Sequence, residues 1–233
     1  MKIMTFNTQH CLNYLEQKID FDIMAKAITD LDADIVGLNE MYNGGEGDFL
    51  MQTGELARRT GLSYSYFAKA IHENIGDYGN GFISRYPIVK VETIIIPDPN
   101  PRRIPDGFYE TRCLLKATLE NGYTVLVTHF GLCRDEQENA VDTIINHITE
   151  EKCILMGDFN VPPDDAILDP IRAKMKDTAS LLDGEGLSWP SDKPQIKIDY
   201  IFVSPDIEVV SADVPSIVAS DHRPHVVEIK DKQ

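Results

Sequence analysis

Positive charge is in short supply in this chain. Its 233 residues hold 22 lysines and arginines against 38 aspartates and glutamates, a formal net charge of −16 and a pI near 4.7. A field of that sign repels phosphate backbones over the surface as a whole, so nucleic acid is disfavoured as a partner unless a local basic pocket receives it. Long hydrophobic runs are missing too. No stretch nears the ~18 apolar residues of a spanning helix. The N-terminal MKIMTFNT has neither a long apolar segment nor a small-residue cleavage site. A cytoplasmic protein without a transmembrane segment is expected. Cysteine is sparse: Cys11, Cys113, Cys133 and Cys153 form no C-x-x-C, and Cys113 and Cys153 sit in apolar, strand-like runs. That pattern fits buried free thiols in a reducing compartment better than a disulfide framework. Repeats, low-complexity tracts and Ser/Gly linkers are absent, as are a G-x-S-x-G elbow and a P-loop lysine.

What remains is ordinary globular composition, 42% hydrophobic and 26% charged. The length suits one large α/β domain spanning residues 1–233. Strand signals fall at 2–7, 35–38, 63–68, 81–84, 89–96, 112–119, 124–129, 153–156, 198–203, 207–212 and 225–229. Helical periodicity falls at 22–31, where Asp20 or Asp22 could cap the start, and at 49–59, closed by Gly61. It recurs at 135–148 and around 166–175. Asn121-Gly122 marks a tight hairpin, and the four prolines within 97–110 mark a long loop. Strands come in adjacent pairs between helices, which predicts mixed sheets.

Polar residues interrupt the apolar runs at strand ends, where sites are usually built. Gly157-Asp158-Phe159-Asn160 follows a buried strand; an Asx turn alone would account for it. Asp199 lies inside an otherwise apolar strand and needs a partner, because an unpaired buried carboxylate is costly. His222, in Ser220-Asp221-His222, is the natural candidate, with Lys197 or Arg223 as alternatives. Glu40 ends the strand Val36-Gly37-Leu38-Asn39, a poor place for glutamate unless it has a task such as holding a hard cation. His129 closes a hairpin strand, where a satisfied core histidine is the plainer reading.

Each motif is weak alone, but their order is specific. Asn7, Asn39-Glu40, the run from Gly81 to Ile88 (GFISRYPI), Thr128-His129, Gly157-Asp158-Phe159-Asn160, Ile198-Asp199-Tyr200-Ile201 and Ser220-Asp221-His222 together resemble the endonuclease/exonuclease/phosphatase superfamily from first strand to last. The resemblance implies a four-layer α/β sandwich, two mixed β-sheets face to face with helices outside, as in deoxyribonuclease I. It implies a phosphoesterase using Mg²⁺, or Mn²⁺ in its place, on an anionic phosphoester substrate. It also implies roles. Glu40, with Asn7 and Asp221, would bind metal. Asp158 would orient or deprotonate water, and Asn160 would hold a phosphoryl oxygen. His222, paired with Asp199, would stabilise developing charge, and His129 would lie near the leaving oxygen. Two departures are Asn39, where relatives often have Gln, and Thr8-Gln9-His10 after the first Asn, which leaves a second metal position and the part of His10 open.

Substrate choice should lie in the loops 43–48, 72–80 and 97–110. Arg102, Arg103 and Tyr109 of the last, with Arg112 just beyond, are the expected substrate-binding residues; the alternative is that the arginines only balance Asp98 and Asp106. The leading reading is hydrolysis of a small phosphorylated molecule or a lipid-type head group. A DNA or RNA nuclease of the same superfamily is the alternative, and a non-catalytic binding module on the same fold ranks below both.

Overall fold

A computed structural model describes residues 1–231. The strands in chain order are β1 (Lys2–Asn7), β2 (Leu12–Asn13), β3 (Lys18–Ile19), β4 (Ile35–Asn43), β5 (Tyr64–His72), β6 (Asp77–Ser84) and β7 (Ile88–Ile95). There follow β8 (Cys113–Leu119), β9 (Thr124–His129), β10 (Cys153–Asp158), β11 (Lys176–Asp177), β12 (Asp199–Val203), β13 (Ile207–Asp213) and β14 (His225–Asp231). The helices are α1 (Phe21–Asp30), α2 (Gln52–Thr60), α3 (Arg134–Ile145) and α4 (Asp169–Arg172). Two six-stranded sheets result, in the orders β13-β14-β1-β4-β6-β5 and β11-β12-β10-β9-β8-β7. Both are mixed: β1 runs parallel to β4 and β9 to β10, while the other pairs within these two sheets are antiparallel.

Strand periodicity builds the layers. Alternate residues face opposite sides of a sheet. Ile3, Ile35, Val125, Val127, Ile154, Met156, Ile201, Val203, Val227 and Ile229 form the cluster between the sheets. Their neighbours Met4, Phe6, Val36 and Leu38 pack outward under α1 and α2, and Leu126, Leu155, Tyr200 and Phe202 pack with α3 and α4. The result is the four-layer sandwich expected. Asp20 caps α1 by accepting from the backbone of Asp22 and Ile23, and Gly61 ends α2 in the left-handed conformation at φ 75°.

The elements depart from expectation in four places. β4 runs on past Leu38 to Asn43, and β5 and β6 form a long hairpin. The predicted loop 72–80 is therefore mostly strand, tightened by paired Glu73–Gly76 backbone bonds. The helix expected at 49–59 begins only at Gln52, after a 3₁₀ turn at Gly47–Phe49. The helix expected around 166–175 is a 3₁₀ turn, Ala166–Leu168, and the four-residue α4. Pro170 has no N–H to return to the carbonyl of Ala166, so no continuous helix forms. All four cysteines are buried and free, as expected. Among the described residues, no helix is long and apolar enough to cross a membrane.

Candidate active site

The face between the sheets is apolar along most of its length and polar at one end. Asn7, Asn39, His129, Asp158 and Asp199 continue the alternation of the central core, so strand periodicity alone delivers all five to one place. Glu40 reaches it differently. β4 and β6 pair Leu38 with Gly81 but Met41 with Gly79, so β4 carries one extra residue. In this bulge Glu40 takes φ 61°, the left-handed region that a glutamate seldom adopts. The bulge turns aside a side chain that regular alternation would send under the helices. Gly157 has the converse role: at φ 147°, an added Cβ would lie 1.8 Å from the Thr128 carbonyl oxygen, so only glycine lets β10 lie this close to β9.

Asp158 is the hub. Its Oδ2 accepts from Asn7 Nδ2 at 3.1 Å and faces His129 Nε2 at 3.5 Å and His222 Nε2 at 3.7 Å. Its Oδ1 accepts from the Asn160 backbone N–H at 2.9 Å, so the Asx turn exists alongside the site rather than instead of it. His222 Nδ1 lies 2.8 Å from Asp199 Oδ2, the pairing expected. Of the alternative partners, Lys197 donates to the Asp199 backbone carbonyl at 2.6 Å and Arg223 donates to Ser191 and Ser216.

Electrostatics separate the two histidines. Burial alone would lower the pKa of His222, but the Asp199 and Asp158 carboxylates and the Asp199 hydrogen bond outweigh it and push it up to about 10. His129 is held neutral, its pKa lowered by burial and then by the charges of Arg112 and His222. Arg112 is donor-only and stands 3.1 Å from His129 Nδ1, while the Asn160 amide nitrogen lies 3.2 Å from Nε2, the nitrogen that also faces Asp158. Burial raises the carboxyl of Asp158; the His222 charge pulls against the rise and the Asp199 charge adds to it.

Asp158, Asp199 and His222 form a group close enough to surround an ion. An imidazolium tied to Asp199 has no lone pair to offer, so that trio reads as a charged relay. Glu40 fits a hard cation better. It accepts 3.0 Å from Asn7 Nδ2; burial raises its pKa, that bond works against the rise, and the charge of Asp221 adds to it. Glu40 and Asp221, two acids lining the same cleft, offer an oxygen donor set of the kind Mg²⁺ or Mn²⁺ takes, although the His222 and Arg112 charges also reach Glu40. Asn7 turns its amide nitrogen to Glu40 and Asp158 and its oxygen to the Gln9 N–H at 3.1 Å, so a ligand role would need the amide reversed. His10 packs its ring 5.9 Å from that of Tyr42, with a pKa lowered by burial against the pull of Asp221 and Glu73.

These groups floor a cleft of about 570 Å³ whose lining includes Glu40, Arg112, His129, Asp158, Asn160, Asp221 and His222. Asn160 donates its amide to the Phe130 carbonyl at 3.0 Å, beside His129 Nε2 at 3.2 Å. A separate hollow of about 310 Å³ beside α2 is lined by Arg58 and Arg59, both paired with Glu55, and holds none of these groups.

Arg102, Arg103 and Tyr109 are not brought to the cleft. Arg103 pairs with Glu138, Arg102 lies 4.6 Å over the Tyr109 ring, and the Tyr109 hydroxyl bonds to Asp135 at 2.9 Å. They anchor loop 97–110 to α3, and the balancing acid is Glu138 rather than Asp98 or Asp106. Of the four expected substrate residues, Arg112 alone lines the cleft, buried and 2.6 Å from Glu110. The sequence reading missed the walls, Tyr78, Phe108, Leu132 and Trp189. No sequence signal marks them: Tyr78 lies in β6, and nothing in strand periodicity sets where the loops bearing the other three fold.

A two-sheet sandwich with carboxylates and histidines gathered at one end is the deoxyribonuclease I-like class of fold. The sequence of residues 4–222 matches the model of the Endonuclease/Exonuclease/phosphatase family, and the chain belongs to that family. Among solved structures it is similar to the endonuclease/exonuclease/phosphatase from Beutenbergia cavernae (TM-score 0.80, 21% identity, 99% of this chain and 71% of that one). It is also similar to one from Bacteroides vulgatus (0.78, 20%, 99% and 98%) and to the Bacteroides thetaiotaomicron mannosyl-6-phosphatase Bt3783 (0.73, 15%, 99% and 99%). No curated protein matches in sequence.

Proposed function

We propose that this protein is a Mg²⁺-dependent hydrolase, Mn²⁺ serving in its place, of a small phosphorylated molecule or a lipid-type head group. One observation carries the reading: Asp158 presents one oxygen to Asn7, His129 and His222 at the floor of an open cleft. A carboxylate raised by burial and flanked by fixed N–H donors suits the uptake of a proton from an attacking water. The His222 imidazolium, oriented by Asp199, would donate from Nε2 to a phosphoryl oxygen as negative charge grows there. The neutral His129 would stand beside it, and the Asn160 amide, released from Phe130, would hold a further oxygen. Glu40 and Asp221, with Asn7 if its amide reverses, would hold the cation. When bound it neutralises the phosphate and polarises the phosphorus–oxygen bond.

The cleft offers little to a long polyanion. Among the described residues lining it, Arg112 is the one lysine or arginine, and Glu110 already opposes it. The similarity to a structure named as a mannosyl-6-phosphatase supports a small phosphorylated substrate. The test is a panel of phosphomonoesters, phosphodiesters, lipids and oligonucleotides, each with Mg²⁺ or Mn²⁺ over a range of salt. Turnover of small esters, little affected by salt, is expected. Nicking of supercoiled plasmid with steeply salt-dependent binding, a slope of roughly 0.7–0.9 per neutralised phosphate, would place the protein among the nucleases instead.

A further inference from the structure

Above its charged floor, the cleft is walled by large apolar side chains that solvent reaches. Phe108 is 62% exposed, Leu132 57% and Trp189 40%, and all three line the cleft with Tyr78. Single exposed apolar residues are ordinary, but three converging on one pocket are not.

Each is held in place by bonds to neighbouring elements. The turn bearing Leu132 is fixed by the Glu136 carboxylate, which accepts from the Cys133 N–H at 3.1 Å and from the Glu110 N–H at 3.0 Å. The segment bearing Phe108 is tied down on both sides: Cys133 Sγ donates to its carbonyl at 3.4 Å, and Tyr109 is locked to Asp135. Trp189 sits in a small antiparallel bridge with Ile196. Two residues on, the Ser191 N–H donates to the Asp221 carbonyl at 2.7 Å, joining that bridge to the backbone of the site. These walls are preorganised, so a ligand that covers them gains apolar burial without ordering a loop.

We propose that the cleft selects phosphoesters bearing a single phosphate on a flat, apolar organic group, the phosphate on the floor and the group between Phe108, Leu132 and Trp189. The inference rests on the phosphoesterase reading and narrows its substrate class. The charge pattern argues the same way. A second phosphate on the ligand would meet Glu110 and an arginine already paired with it, and polyphosphates and nucleic acid are thereby selected against.

Non-hydrolysable phosphonates test this by calorimetry with Mg²⁺ present, so that binding is read apart from turnover. Benzylphosphonate is expected to bind at least tenfold more tightly than methylphosphonate. Phe108→Ala and Trp189→Ala should each remove roughly tenfold of that gain, the factor that 1.4 kcal/mol represents, and leave methylphosphonate unchanged. Both residues are exposed, so folding is not at stake, and unchanged Tm values check it. If neither phosphonate binds, the phosphoesterase reading itself fails. If both bind equally, or a bisphosphonate or an oligonucleotide binds more tightly than benzylphosphonate, the phosphate floor stands and the apolar selection is overturned. Binding to phosphatidylcholine vesicles that Trp189→Ala abolishes, with no preference among soluble phosphonates, would assign the walls to a lipid surface and also overturn it.

Discussion

The side chain of Asn39 reaches across the sandwich and accepts the backbone N–H of Asp158 at 3.0 Å. Its amide nitrogen donates to the Thr128 carbonyl and to Asn80 Oδ1, both at 2.8 Å. One buried amide thus joins β4 to β6 in its own sheet and to β9 and β10 in the other. It fixes the peptide that carries the hub carboxylate, one residue before Glu40.

Asn39→Asp tests that link. It keeps the volume but sets oxygens against the Thr128 and Asn80 oxygens, each unmet group costing about 1–3 kcal/mol. Urea unfolding should show a loss of that order, and kcat should fall with it. Unaltered stability would mean the two sheets do not depend on this amide.

For the His222–Asp199 pair, Asp199→Asn and His222→Asn should each raise the barrier by roughly 3–4 kcal/mol, the scale of losing one oriented donor. The double variant should lose little more than either single one, because the two act together. The pH profile adds a signature. Burial lowers the His222 pKa, and Asp199 is the largest of the groups that lift it, ahead of Asp158, so without Asp199 the imidazolium is lost at lower pH and the alkaline limb of kcat/KM moves down from about 10. Multiplicative losses, or an unmoved alkaline limb, would show that the pair does not work as a unit.

Glu40→Gln should lower activity sharply while leaving the metal-free protein as stable as before, or more so. Burial and Asp221 both disfavour the Glu40 charge, and the variant removes it. In the wild type Mg²⁺ should raise Tm by binding the folded state, and in the variant that shift should shrink. Full activity after chelation, or equal Tm shifts in both proteins, would remove Glu40 from the metal site.

His225 lies fully buried between the sheets, its pKa held low by burial and then by the nearby Lys197 charge. Below about pH 6.5 the unfolded chain takes up a proton there that the folded chain refuses, so stability falls as pH drops, by up to ~1.4 kcal/mol per unit from this group. A His225→Leu variant lacks that slope. Its stability relative to wild type should improve steadily from pH 6.5 to 5 in denaturant titrations, whatever the offset at neutral pH. A constant difference across that range would show that His225 is charged in the folded state.

Much of the site was legible because it obeys strand periodicity. Asn7, His129, Asp158 and Asp199 fall on the parity of their own apolar neighbours, and an acid inside the run of β12 signals a buried partner before any coordinates exist. The same parity marks Asn39 and His225, although the sequence reading gave neither a structural part. Glu40 stood out in the sequence as an acid ending an apolar strand, and the bulge beneath it explains how that side chain is turned toward the site. The arginines of loop 97–110 misled because charge alone does not say which way a loop folds. Glu138 and Asp135, one helical turn apart, held Arg103 and Tyr109 away from the cleft. Phe108, Leu132 and Trp189 stayed hidden because they lie on three loops distant in sequence.

The left-handed backbone at Glu40 also bears on how this protein would respond to selection in the laboratory. Glycine or asparagine would sit there with less strain, and either would remove a carboxylate that burial disfavours. A campaign that rewards heat resistance alone should therefore drift toward those two residues at position 40 and return robust, inert proteins. Screens for hardier variants need turnover scored in the same round, or this codon held fixed.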